Sequence, residues 1–291
     1  MLAIVKNSMP LSVWYMLISA LGFSLMAACV KEVSSLGIPV LEIVAARAVV
    51  SAIISYVDIK RKNIPIWGHN KVLLVARGTV GTFALMFVYY AVTTLPLAEA
   101  TLLQYLHPVF TAVLALLFLK ENIQKSTIAC IIISLLGLLL IIQPNLQIDN
   151  DLQYSWLSIG AGILGAFGSA VAYVIIKKLT KTDDSSVIIF YFPILAFPIS
   201  MIMLGSDFVV PSLAATALLV LVGIFTQVGQ VGLTKALNCA DANKATAYAY
   251  VQVLFSILIG WLYFSEVPLM TTIVGGGFIM FGALINVLWK R

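Results

Sequence analysis

Ten apolar runs alternate with short polar connectors along the 291 residues, at approximately 10–30, 38–57, 72–94, 97–119, 126–143, 156–176, 186–204, 213–234, 245–264 and 270–289. A helix rises 1.5 Å per residue, so about 20 apolar residues cross a hydrocarbon core roughly 30 Å thick. The connectors are short, and no soluble domain is expected between the runs. The pattern predicts an all-α polytopic membrane protein with ten transmembrane helices.

The fourth run, 97-LAEATLLQYLHPVFTAVLALLFL-119, departs from a plain apolar span because Gln104, Tyr105, His107 and Pro108 sit near its middle. Pro108 lacks a backbone N–H and crowds the carbonyl of Gln104, which predicts a kink. On an unbroken helix Thr101, Tyr105 and Pro108 share one face, with Gln104 and His107 on the adjoining one. In the ninth run Thr246, Tyr250 and Val253 repeat the first face, with Tyr248, Gln252 and Phe255 beside it. Lipid cannot satisfy polar side chains, so these groups are expected to face a cavity or a partner helix. The plainer alternative is interhelical hydrogen bonding alone, worth about 0.6 kcal/mol per bond.

A shift of 145 residues brings the two halves into register without a gap. Gly78 then falls on Gly223, Ala100-Thr101 on Ala245-Thr246, Tyr105 on Tyr250, Phe110 on Phe255, Glu121 on Glu266 and Gly137 on Gly282. Over 77–142 there are 12 identities in 66 positions. The shift covers five helices, an odd number, so the second repeat must be inverted relative to the first. The chain therefore divides into repeats 1–145 and 146–291, a plan that secondary transporters use to place a site at the midplane.

The stretch 77-RGTVGTFALMFVYYAVTTLPLAEATLLQYLHPVFTAVLALLFLKE-121 resembles the EamA-type members of the drug/metabolite transporter superfamily, and the resemblance extends over essentially the whole chain. Its partner at 222–266 is looser, with Val222 in place of Arg77 and Val253 in place of Pro108. The resemblance implies two inverted five-helix repeats, a central cavity and alternating access, but no particular substrate.

Composition sharpens this picture. Charged residues make up only 10% of the chain, against roughly 25% in soluble domains. The net charge of +5 would point to nucleic acid in a soluble protein, but its distribution gives another meaning. With the N-terminus in the cytoplasm, fourteen Lys and Arg fall inside and only Lys31 outside, while Arg47 and Arg77 lie within spans. That bias predicts a multi-pass protein of the cytoplasmic membrane with both termini cytoplasmic. Cys29, Cys130 and Cys239 form no CxxC pair, and His69 and His107 are the only histidines, so neither a disulfide framework, a metal nor another cofactor is expected. The string 160-GAGILG-165 matches a nucleotide fingerprint only formally; inside an apolar helix it predicts close helix packing. Met26-Ala27-Ala28-Cys29 resembles a lipoprotein cleavage site, but a retained first helix fits the long run before it better.

Candidate substrate contacts are Arg47, Arg77, Tyr89, Gln104, Tyr105, His107, Gln227, Tyr248, Tyr250 and Gln252, with Glu99 and His107 as proton carriers or gate groups. Arg47 lies about nine residues into its span, roughly 13 Å deep, where a charge needs an acceptor or water. Glu99 is a candidate partner, with Glu42 nearer the surface. Arg77 is one to two turns in and could snorkel. Glu121 and Glu266 sit at helix junctions, where each could cap the next helix. No nucleophile–base pair or acidic metal cluster argues for an enzyme. The reading is a secondary transporter of a small polar metabolite, amino-acid-like or an organic acid, driven by a gradient or exchange. The alternatives are a cationic or nucleoside-type substrate such as S-adenosylmethionine, or a channel or sensor. Expected partners are that small molecule and the lipid bilayer, not nucleic acid; oligomeric state is left open.

Overall fold

The structure, a computed structural model, describes residues 10–94, 103–146, 156–265 and 270–289. Every regular element among them is helical. The helices are α1 (Leu11–Ser35), α2 (Val40–Arg61), α3 (Lys71–Thr94), α4 (His107–Leu114), α5 (Lys125–Leu146), α6 (Trp156–Leu179), α7 (Ser185–Leu204), α8 (Leu213–Cys239), α9 (Ala242–Ala247), α10 (Val251–Phe264) and α11 (Met270–Leu288). Among the described residues, seven helical stretches are long and apolar enough to cross a membrane, with α9 and α10 counted as one across the turn between them. Three shorter apolar helices, at 107–119, 125–140 and 273–286, occupy the places of the fourth, fifth and tenth predicted spans.

Helix pairing follows the repeat. Helix α1 packs on α8 and α3 on α6, and adding 145 exchanges these two pairs. Helices α2 and α7 pack together, as do α5 and α11, and each of these pairs maps onto itself. Small residues make the approaches possible. A Cβ on Gly232 would lie 2.7 Å from the Tyr15 carbonyl oxygen, and one on Gly165 would lie 2.9 Å from the Val88 nitrogen. Within 160–165, Gly162 and Gly165 serve packing, whereas a Cβ on Gly160 would meet nothing within 4 Å.

The fourth span is broken rather than kinked. Residues 103–104 are helical, Tyr105 and Leu106 form a turn, and α4 restarts at His107 with Pro108 in its first turn. Proline's missing donor costs nothing there, because first-turn N–H groups have no intrahelical partner. The ninth span breaks at the same repeat position, where Tyr248–Tyr250 form a 3-10 turn between α9 and α10. Both spans also end alike. A π-helical turn, Ala115–Leu119, follows α4, and Lys120 after it has φ 55°, its N–H bonded to Ala115 O. Ser265, 145 residues on, has φ 56° and bonds Gly260 O.

The connections at one end are tied by charge. Lys62 pairs with Asp58 at 2.8 Å and Asp184 at 2.9 Å, and Asp184 caps α7 through Ser186 N. Asp183 accepts from the backbone N–H groups of His69 and Asn70. The α2–α3 connection is thereby fastened to the α6–α7 connection.

Candidate functional site

Arg47 of α2 and Arg77 of α3 converge on one ring. They are 5% and 3% exposed, and their guanidinium carbons lie 5.4 and 4.9 Å from the centroid of Phe192 on α7. The two charges are therefore within about 10 Å of each other. At an effective dielectric of about 20, like charges at that separation repel by roughly 1–2 kcal/mol. Gly81, one turn beyond Arg77, makes room: a Cβ there would sit 3.1 Å from both Arg77 Nη1 and the Phe192 ring. Arg77 therefore turns inward rather than snorkelling, because space, a ring face and the amide of Gln230 receive it.

Hydrogen bonds satisfy these forks only in part. Arg47 Nη1 donates to the Tyr89 hydroxyl at 3.3 Å and reaches the Met26 sulfur at 3.8 Å. Arg77 Nη2 donates to Gln230 Oε1 at 3.1 Å. Among the described residues, Arg47 Nε and Arg77 Nε and Nη1 are buried without an acceptor. Among the described residues the ion pairs lie elsewhere, at Lys62 and His69. Glu99, the partner considered for Arg47, falls outside the described residues. Glu42, in the first turn of α2, is 4% exposed and accepts from Val209 N at 3.0 Å.

A second cluster adjoins the first. His107, 6% exposed, sets its ring against Tyr173 at 5.3 Å and lies 6.1 Å from Tyr105, and its Nδ1 has no partner among the described residues. Tyr173 is also an electrostatic neighbour of Arg77, which joins the two clusters. Tyr105 and Tyr250 stack at 5.8 Å, and the Tyr250 hydroxyl donates to Tyr105 O at 3.1 Å. Two repeat-equivalent residues thus meet at one place. The broken spans bring them there.

The remaining candidates divide. Gln227 accepts from Ser51 and donates to Ser55, so its amide is used to tie α8 to α2. Tyr248 is buried in an apolar cluster with Val13, Met16 and Leu237, its hydroxyl without a partner among the described residues. Gln104 and Gln252 are half-buried, and the Gln252 carbonyl accepts from Ser24. A groove of about 290 Å³ between α1 and α8, lined in part by Tyr15, Ile18, Val231 and Lys235, includes neither arginine.

The sequence profile of the EamA-like transporter family matches this chain twice, over residues 10–143 and 156–288. The chain belongs to the EamA-like transporter family. It is 33% identical over 257 residues to the pseudopaline exporter CntI of Pseudomonas aeruginosa, covering 87% of this chain and 88% of the relative. Human solute carrier family 35 member G1 is 29% identical over 277 residues, covering 91% of this chain and 75% of the relative. The S-adenosylmethionine uptake transporter of Rickettsia conorii is 26% identical over 202 residues, covering 69% and 66%. A solved crystal structure superposes with a TM-score of 0.85 at 15% identity, covering 96% of this chain and 97% of the other, and shows the shared fold. This EamA-like protein is thus a multi-pass membrane protein with a general role in transport.

One end of the EamA-like bundle is closely packed. Buried residues of α1, α2, α3, α6, α7, α8 and α9 form a single cluster there, with Ala115 and Tyr248. Lys177 Nζ of α6 donates to Leu237 O at 2.8 Å and Ala240 O at 2.6 Å, closing on the end of α8. Glu121 accepts from Asn243 N at 3.3 Å and Nδ2 at 3.1 Å. It caps α9 of the other repeat rather than the next helix, because the close packing of α4 on α9 brings that N-terminus to it. Glu266 lies outside the described residues. The repeat-equivalent pair to α6 and α8, which is α1 and α3, makes almost no contact.

Phe192 was not among the residues singled out by sequence, although a signal existed. Subtracting 145 places it on Arg47, so the repeat that pairs Tyr105 with Tyr250 also pairs Arg47 with Phe192.

Proposed function

We propose that this EamA-like protein is a secondary transporter that carries a small carboxylate-bearing metabolite, amino-acid-like or an organic acid, across the cytoplasmic membrane. It works by alternating access and is driven by a gradient or by exchange. The observation that carries this reading is the pair of buried, incompletely satisfied guanidiniums on Phe192. A buried charge without a counter-charge is costly, and an arriving carboxylate would supply both charge and acceptors. Tyr89 and Gln230 hold the two forks; His107, Tyr105, Tyr250 and Tyr173 offer aromatic surface to the rest of the solute. The discontinuous spans support the same location, since transporters place sites at such breaks near the midplane. The halves 1–145 and 146–291 act as inverted repeats, with both termini cytoplasmic. The Lys177 end is then the cytoplasmic gate, closed in this conformation. Glu99 and His107 are the groups available to carry a proton.

A cationic substrate is the second reading, favoured by the similarity to a transporter named for S-adenosylmethionine uptake. Two guanidiniums at the site oppose it electrostatically. One relative is named an exporter and another an uptake transporter, so family membership carries no direction. The test is a thermal-shift screen of purified protein against a metabolite library, followed by flux of each hit in proteoliposomes. A bound ligand stabilises the fold in proportion to ligand occupancy. Anionic hits that are also transported support the proposal. Hits confined to cations would overturn it.

A further inference from the structure

We infer that the solute carries two carboxylates, one for each guanidinium. This rests on the transport site proposed above and goes one step further, from an acidic substrate to a dianion. The unpartnered donors are divided between the arginines: Nε on Arg47, and Nε and Nη1 on Arg77. One carboxylate seated bidentately on one fork satisfies that fork. It leaves the second guanidinium buried, charged and short of acceptors, the arrangement a low-dielectric interior tolerates least. Each arginine is held in place by its own neutral partner, Tyr89 for Arg47 and Gln230 for Arg77, and both bear on the Phe192 ring. The forks are thus separately positioned, with the ring as a common wall. Their separation, within about 10 Å, suits the two ends of a short chain.

The experiment uses the full-length protein in lipid nanodiscs. Straight-chain dicarboxylates from malonate to suberate are titrated against monocarboxylates of matched chain length, sodium chloride and sodium phosphate, at constant pH and ionic strength. The melting midpoint is the readout. The expected result is a dicarboxylate of optimal length whose half-saturating concentration is at least about tenfold below that of its monocarboxylate. Arg47→Gln and Arg77→Gln should each reduce it to the monocarboxylate level. Equal effects of mono- and dicarboxylates in the unmodified protein overturn the inference without recourse to either variant. So does stabilisation by chloride or phosphate alone that matches the best dicarboxylate, which would mark the pair as an inorganic anion site. Transport of a monoanion in proteoliposomes alongside such a result would sink the dianion and leave the transporter reading standing. Absence of flux for every bound ligand would instead remove the reading beneath it.

Discussion

Replacing Lys177 by methionine keeps an unbranched side chain one atom shorter and removes its charge. Lys177 makes two bonds, to Leu237 O and Ala240 O, that join α6 to the end of α8. A hydrogen bond to a charged group contributes about 1.5–3 kcal/mol. Lys177 is only half-buried, so water competes and roughly 1 kcal/mol per bond is the safer figure. Two such bonds bias the gate by about 2 kcal/mol, a factor of roughly 30 in the closed-to-open ratio. The assay places a single cysteine at Ala245, which is 0% exposed within the cluster at this end, in a chain with Cys29, Cys130 and Cys239 replaced. Alkylation by an impermeant maleimide is timed in right-side-out and inside-out vesicles. In Lys177→Met the rate should rise about 30-fold, and only in vesicles that expose the Lys177 side. A rate unchanged from the lysine protein would refute the gate, and an increase from the opposite side would refute its location.

Three further outcomes follow from the same structure. Gly232→Ala should lower stability by about 1–3 kcal/mol, since its Cβ would press on the Tyr15 backbone; a melting curve within error of the parent contradicts the α1–α8 contact. Partial burial pushes the Asp184 carboxyl up, but hydrogen bonds from Ser186 N and Lys62 outweigh it and hold the group below the usual carboxylate range. A depressed folded pKa stabilises above the unfolded value of about 3.9 and is lost as pH falls through the folded one. Melting of the parent should therefore fall more steeply below about pH 4 than that of Asp184→Asn, and parallel profiles would argue against the latch. Single cysteines at Asn63 and Asp149 should label from the cytoplasmic and external sides respectively, and the reverse pattern would invert the proposed topology.

Much of the scaffold is legible in the sequence because membrane helices announce themselves by length and apolarity. The predicted runs 156–176, 186–204 and 213–234 became α6, α7 and α8 with small shifts at their ends. The repeat was legible too, through small and polar positions that recur at 145. Pro108 flagged the break in span four, but local rules suggested a bend, whereas tertiary packing restarts the helix. No proline marks the matching break at Tyr248–Tyr250, and only the repeat could have pointed to it. Phe192 looked like one more apolar residue of α7, since what distinguishes it is the pair of guanidiniums arriving from α2 and α3. Glu121 was identified as a helix cap, but its partner, Asn243 of the other repeat, depends on how the halves dock.

Central to the account is that Arg47 meets the solute and not only the fold. The decisive measurement is proteoliposome flux of a transported ligand, together with melting temperature, for Arg47→Ala, Arg47→Lys, Glu99→Gln and the double variant Arg47→Gln/Glu99→Gln. Substrate contact predicts loss of flux in Arg47→Ala with insertion retained. Arg47→Lys should fail as well, because a point charge replaces a bidentate fork. The double variant should stay inactive even if its stability returns. Recovery of flux in the double variant would show that Arg47 serves an internal ion pair, and would contradict the site proposed between the repeats.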